Sequence, residues 1–182
     1  VGMDGLTVGP SLTVCANEQP AEKSCTWMTN LPQTLTKLSL ALWDGTVELP
    51  SSLIHFEADI VRLSEDSFVY TLPAQLESFQ VTFKALGIEL LIPFLPPSTR
   101  KLQIAKFWSS YFFEQLPKFL TYFAFPESKE INLETNPELI SVLPTTLTEL
   151  DIHGFFPSSV WHLLPPNLTK LSIAPGWDLE EV

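Results

Sequence analysis

The dipeptide Leu-Pro recurs seven times, with its leucine at Leu31, Leu49, Leu72, Leu95, Leu116, Leu143 and Leu164, and no other feature constrains the fold as tightly. Seven and nine positions after each of these leucines stands an apolar residue: Leu38 and Leu40, Phe56 and Ala58, Phe79 and Val81, Leu102 and Ile104, Phe123 and Phe125, Leu150 and Ile152, Leu171 and Ile173. Four positions after it, six copies carry leucine and the remaining one carries Thr99. The first and last copies lie 133 residues apart over six intervals, so the mean period is near 22. That is the length of one supersecondary unit in a stacked repeat protein.

Within each copy the two apolar residues alternate with polar ones at a period of two, the pattern of a short strand that turns one face to a core. The preceding proline has a fixed φ and no N–H to give, which places it in the turn that enters the strand. Stacking the copies pairs the strands in parallel at about 4.8 Å, so seven of them extend about 30 Å.

The segments LPTTLTELDI and LPPNLTKLSI resemble the short leucine-rich repeats of bacterial effector proteins and of protist surface or secreted proteins, built on LPxxLxxLxL. The resemblance runs from Leu31 to about Ala174. It implies a leucine-rich-repeat solenoid: a curved parallel β-sheet with irregular, extended convex segments, mostly β. The usual repeat of the family has asparagine three residues after the second strand leucine. Here Trp43, Val61, Lys84, Phe107, Ser128, Phe155 and Gly176 hold that place, so no asparagine ladder is expected. Intervals of 18, 23, 23, 21, 27 and 21 residues point to irregular returns. The longest contains Ile131-Asn-Leu-Glu-Thr-Asn136, which fits the family pattern out of phase and raises the count to seven or eight coils.

Between strands the chain is rich in aromatics, among them Trp43, Phe94, Phe112, Phe113, Phe156 and Trp161. They are expected to fill the coil interior where an asparagine turn is missing, in preference to forming a ligand surface. Val47, Ile88, Leu90 and Ile92 suggest strands or irregular turns there more than helices.

Residues 1–30 lie outside the repeat and are expected to cap the first coil, whose hydrophobic edge needs cover. They hold both cysteines, Cys15 and Cys25, which are read as a disulfide with buried thiols as the alternative. Residues 175–182 form a short tail. Val1 and Val182 are read as the ends of a processed chain or of a piece of a longer one. Asn167-Leu168-Thr169 is a glycosylation sequon in the turn before a strand, with Asn167 as acceptor. Together these features favour a secreted or cell-surface protein over a cytoplasmic one.

Charge limits the partners. With 21 acidic against 10 basic residues the chain carries −11, which repels a phosphate backbone, and no apolar run approaches the length of a membrane span. Nucleic acid and membrane insertion are therefore not expected. Neither are a cofactor, a metal or a catalytic centre: the chain has no glycine-rich phosphate loop, no GxSxG and no HExxH. The outward strand positions supply the candidate binding residues on the concave face: His55, Glu57, Asp59, Gln80, Gln103, Tyr122, Glu149, Asp151 and His153. The trios His55/Glu57/Asp59 and Glu149/Asp151/His153 each share a face, but four coils, about 19 Å, separate them. Each is read as a solvated acidic face ahead of a weak cation site or a pair of carboxylates for glycoside chemistry.

The first functional expectation is a non-enzymatic module that recognises a protein or glycan on the concave face. The second is a structural building block of an extracellular or cell-surface assembly, joined through the solenoid edge. The third, drawn from the resemblance to effectors, is the substrate-recognition part of a larger effector enzyme.

Overall fold

A computed structural model describes residues 10–14, 31–45, 48–62, 71–86, 91–104, 110–126, 133–154 and 156–174. Its centre is one parallel sheet of eight strands in strictly sequential order: β1 (Ser11–Val14), β2 (Lys37–Trp43), β3 (His55–Arg62), β4 (Ser78–Leu86), β5 (Lys101–Gln103), β6 (Tyr122–Pro126), β7 (Glu149–His153) and β8 (Lys170–Ala174). Each coil contributes one strand, so the chain is an open, mostly-β solenoid. The register is in phase with the repeat, pairing Leu38 with Phe56, Phe56 with Phe79, Phe79 with Leu102, Leu102 with Phe123, Phe123 with Leu150 and Leu150 with Leu171.

The Leu-Pro motif is a turn in every copy. The N–H of the residue four after the leucine donates to the proline carbonyl at 2.9–3.1 Å, from Leu35 to Pro32 through to Leu168 to Pro165. Proline therefore stands first in a β-turn, where only its carbonyl is used and its missing N–H costs nothing. One position further on, the carbonyls of Thr36, Ile54, Glu77, Arg100, Thr121 and Thr148 each accept two N–H groups from the next coil at 2.8–3.1 Å. This fork aligns successive strands before their ladder begins.

The core runs the length of the stack. Both apolar strand positions are buried in the first six Leu-Pro coils. Aromatic rings touch along it, with Trp43 edge-on to Phe56 at 5.1 Å and Phe113 edge-on to Phe125 at 5.2 Å. At the seventh coil Leu171 is half-buried and Ile173 is 45% exposed, because β8 is the last strand of the sheet. Thr99, the one substitution for leucine, is fully buried and donates its hydroxyl to the Leu76 carbonyl at 3.3 Å, which meets the cost of a polar group there.

Four findings depart from the expectations above. The sheet begins at Ser11, inside the segment assigned to the cap: Leu12 and Val14 pair with Leu38 and Leu40 without a Leu-Pro turn before them. No strand occurs at 133–136, which forms a turn, and β6 pairs directly with β7, so the out-of-phase segment adds no coil to the sheet. Ile92 lies in a short 3₁₀ turn, Ile92–Phe94, one of three among the described residues with Ser110–Gln115 and Ser158–Leu163, beside the single-turn helix α1 (Glu138–Ser141). Among the aromatics, Trp43, Phe112, Phe113 and Phe156 are buried as expected, whereas Phe94 and Trp161 stand 61% and 54% exposed on those turns. Cys15 and Cys25 fall outside the described residues, as do Val47, Ile88 and Leu90.

Candidate functional site

The strand alternation that sends one set of side chains into the core sends the other to the concave face, and the in-phase register arranges them in rows. One row runs Lys37, His55, Ser78, Lys101, Tyr122, Glu149, Lys170, and the next runs Ser39, Glu57, Gln80, Gln103, Ala124, Asp151, Ser172. Neighbours within a row are about 4.8 Å apart at the backbone.

Over β2 to β5 the rows enclose a shallow depression of about 340 Å³, lined by Lys37, His55, Phe56, Glu57, Ser78, Gln80 and Lys101. Its depth comes from Ser78: a small side chain between His55 and Lys101 leaves a gap that a larger one would fill. Phe56 and Ser78, both buried, form the floor, while Lys37, His55 and Lys101 are exposed around it. Among the described residues none of Lys37, His55, Glu57, Ser78, Gln80 and Lys101 makes a side-chain hydrogen bond or an ion pair within the protein. Two ammonium groups stand here against one carboxylate in a chain that is acidic overall.

Over β6 to β8 the same rows carry a different surface. Lys170 Nζ pairs with Glu149 Oε2 at 3.1 Å, and His153 Nε2 approaches Asp151 Oδ1 at 3.7 Å. Asp151 Oδ1 is buried and accepts no hydrogen bond. Partial burial, then the carboxylates of Asp151 and Glu149, raise the Tyr122 phenol above the usual tyrosine range, since each disfavours the phenolate.

The nine expected residues thus divide. His55, Glu57 and Gln80 meet in the depression, and Gln103 pairs in register with Gln80 on β5, two residues along from the lining residue Lys101. Asp59 does not join them: the register of β3 on β4 shifts between Ala58 and Ile60, and Asp59 sits at that irregularity. Tyr122, Glu149, Asp151 and His153 form the second cluster. Among the described residues no group of three or more His, Cys, Asp or Glu side chains converges as a metal site would, and no helix is long and apolar enough to cross a membrane. Lys37, Ser78 and Lys101, which stand six positions after the leucine and are therefore outward like the expected residues, line the same depression.

Asn167 lies in the last described turn, exposed, with its Nδ2 donating to the Thr145 carbonyl at 2.7 Å. The contact belongs to a series at the position three after the leucine. Ser52 Oγ donates to Leu35 O at 2.7 Å and Gln75 Nε2 to Ser51 O at 2.8 Å. Ser98 Oγ lies 2.8 Å from both Ala74 O and Leu76 O, and Thr146 Oγ1 lies 2.9 and 2.8 Å from Lys118 O and Leu120 O. Each hydroxyl has one proton to share between two carbonyls. At Phe119 the series breaks, and the Arg100 guanidinium instead lies 5.3 Å over the phenyl ring. A ladder of mixed side-chain donors fastens the turns that enter the strands, nine residues before the place where the resemblance would have put asparagines.

No family, curated protein or solved structure matches the chain in sequence or fold comparisons.

Proposed function

We propose that the chain is a leucine-rich-repeat protein of the short Leu-Pro type that acts as a non-enzymatic recognition module, binding a protein or glycan on its concave face. One observation carries this reading: six polar or charged side chains surround a depression on a rigid sheet, and among the described residues none of them makes a side-chain hydrogen bond. Side chains there are free to be chosen for a ligand because the core lies on the other face. The test is a binding screen of the full chain against extracellular glycans and proteins, repeated with two triple variants, His55→Ala/Glu57→Ala/Gln80→Ala and Tyr122→Ala/Glu149→Ala/Asp151→Ala. Loss of binding in either variant supports the concave face. Binding unchanged in both moves the site elsewhere.

A second reading, a building block of an extracellular or cell-surface assembly, is favoured by the exposure of Ile173 on the last strand of a parallel sheet. Sedimentation over a range of concentrations tests it: a chain that stays monomeric throughout is no such block. Secretion or surface display is part of both readings. Intact mass before and after reduction and N-glycan removal checks it, the expected results being a disulfide between Cys15 and Cys25 and a glycan on Asn167. A substituted Nδ2 keeps one N–H, so the bond to Thr145 survives glycosylation.

A further inference from the structure

We infer that the depression over β2 to β5 holds a carboxylated sugar, with the carboxylate between Lys37, His55 and Lys101 and the hydroxyls on Glu57 and Gln80. The inference rests on the concave-face reading and names its ligand class.

The donors come first. Lys37 and Lys101 stand in one row with His55 and Ser78 between them, three strand spacings or about 14 Å apart at the backbone, and their long side chains reach inward from opposite sides. Neither ammonium has a partner within the described protein. An anionic group placed between them gains two charge-assisted hydrogen bonds without breaking any that exist.

The acceptors narrow the class. Glu57 and Gln80 are adjacent and in register on the second row. A carboxylate beside a carboxamide binds neighbouring hydroxyls, but it repels a ligand dense in negative charge. The net charge of −11 acts in the same direction at longer range. A heavily sulfated polymer or a run of acidic residues is therefore disfavoured, while one negative group flanked by hydroxyls satisfies both rows.

Two further observations agree. The Ser78 side chain is only 6% exposed, lines the depression and makes no hydrogen bond among the described residues. Its hydroxyl opens on the depression, where water or a ligand reaches it. The one phenyl ring of the lining, Phe56, is 1% exposed, which leaves only the small His55 imidazole as a surface to stack on. A neutral sugar held by ring stacking, or an apolar peptide anchor, has little to rest on there. The volume of about 340 Å³ lies at the low end for small-ligand clefts, roughly 300–1,000 Å³, and suits a single ring.

The experiment titrates the full chain, by chemical shift or calorimetry, with glucuronate, galacturonate and sialic acid as methyl glycosides, with the methyl ester of the best binder, with methyl glucoside and with a glutamate-rich peptide. At least one acid is expected to bind. Esterification, Lys37→Ala and Lys101→Ala are each expected to weaken it about tenfold, the loss of one charge-assisted hydrogen bond. Both lysines are exposed and unpaired, so these variants keep the fold. Glu57→Gln separates a sugar site from a plain anion site. A sugar loses its best hydroxyl acceptor and binds more weakly, whereas an anion held by charge alone binds more tightly. Tighter binding in Glu57→Gln, stronger binding of the peptide, or no binding of any of the three acids at millimolar concentration overturns the inference. The triple variants decide the concave-face reading separately, since a ligand lost with Tyr122, Glu149 and Asp151 but indifferent to Lys37 and Lys101 keeps that reading and removes this one.

Discussion

The two halves of the concave face are built on the same row pattern and differ in what their charges do. Over β2 to β5, Lys37, His55, Glu57 and Lys101 surround an open depression and pair with nothing in the described protein. Over β6 to β8, Glu149 is bound to Lys170 at 3.1 Å, and Asp151 lies 3.7 Å from His153 with its Oδ1 buried and accepting no hydrogen bond. The strands differ too. β2, β3 and β4 run seven, eight and nine residues, with Trp43 and Val61 buried towards the ends of the first two, while β5 has three. β6, β7 and β8 have five residues each. On the proposed reading the unpaired charge over β2 to β5 is what a ligand would meet, and the Glu149–Lys170 pair over β7 and β8 serves the sheet itself.

The largest expected effect tests whether the halves share one core. Phe56→Ala and Phe123→Ala should each cost about 3–5 kcal/mol in urea or thermal unfolding, with a single transition in both. Two separate transitions would make the halves independent units and turn a difference of surface into one of folding. The turn ladder comes next. Thr146→Val removes the hydroxyl shared between Lys118 and Leu120 and should cost about 1–2 kcal/mol. A loss near zero would show that the forked backbone bonds suffice to align the coils. For the exposed Lys170–Glu149 pair, with side chains 64% and 44% accessible, Lys170→Ala should change stability by less than about 0.5 kcal/mol. A larger loss would give the C-terminal half a structural use for its charge.

The finest measurement is the titration of Tyr122. Its phenol should ionise at higher pH than free tyrosine, followed by the ultraviolet absorbance of tyrosinate, and Asp151→Asn should bring it partly back. The sign follows from the neutral form being favoured in the fold. Stability from this group is complete below the tyrosine pKa of the unfolded chain and is lost as pH rises from there through the higher folded value. An unshifted phenol would mean that Glu149 and Asp151 are screened from it, and the contrast between the halves would shrink.

Leu-Pro spacing was enough to place seven of the eight strands and the twelve strand residues buried in the first six coils, because each copy repeats both a turn and the alternation after it. β1 escaped because Leu12 and Val14 carry the alternation without the turn. The ladder escaped for a different reason: Ser52, Gln75, Ser98, Thr146 and Asn167 share no residue type, only a hydrogen-bond donor at one position. A search by chemical capacity would have found it, with Phe119 as the break. Phe94 and Trp161 were misplaced because an apolar residue on an irregular return has no period to tell inside from outside. That Lys170 pairs with Glu149 while Lys101 has no side-chain partner among the described residues depends on reach across strands, which spacing along one strand does not encode.

The ladder also gives the stack a direction. Ser52 belongs to one coil but closes the turn of the coil before it, and Gln75, Ser98, Thr146 and Asn167 do the same in their places. The loops at Leu35, Ser51, Ala74, Lys118 and Thr145 are each finished by the following coil, while the loop of Ser98 is not, because Phe119 breaks the series. Damage at Ser52, Gln75 or Thr146 therefore travels backward only: the donor's own turn stays fastened by the next coil, while the preceding loop loses its fastening. The array behaves like a row of clasps sewn on one side, so that a single fault has an upstream and a downstream, and amide exchange should quicken on the N-terminal side of it alone.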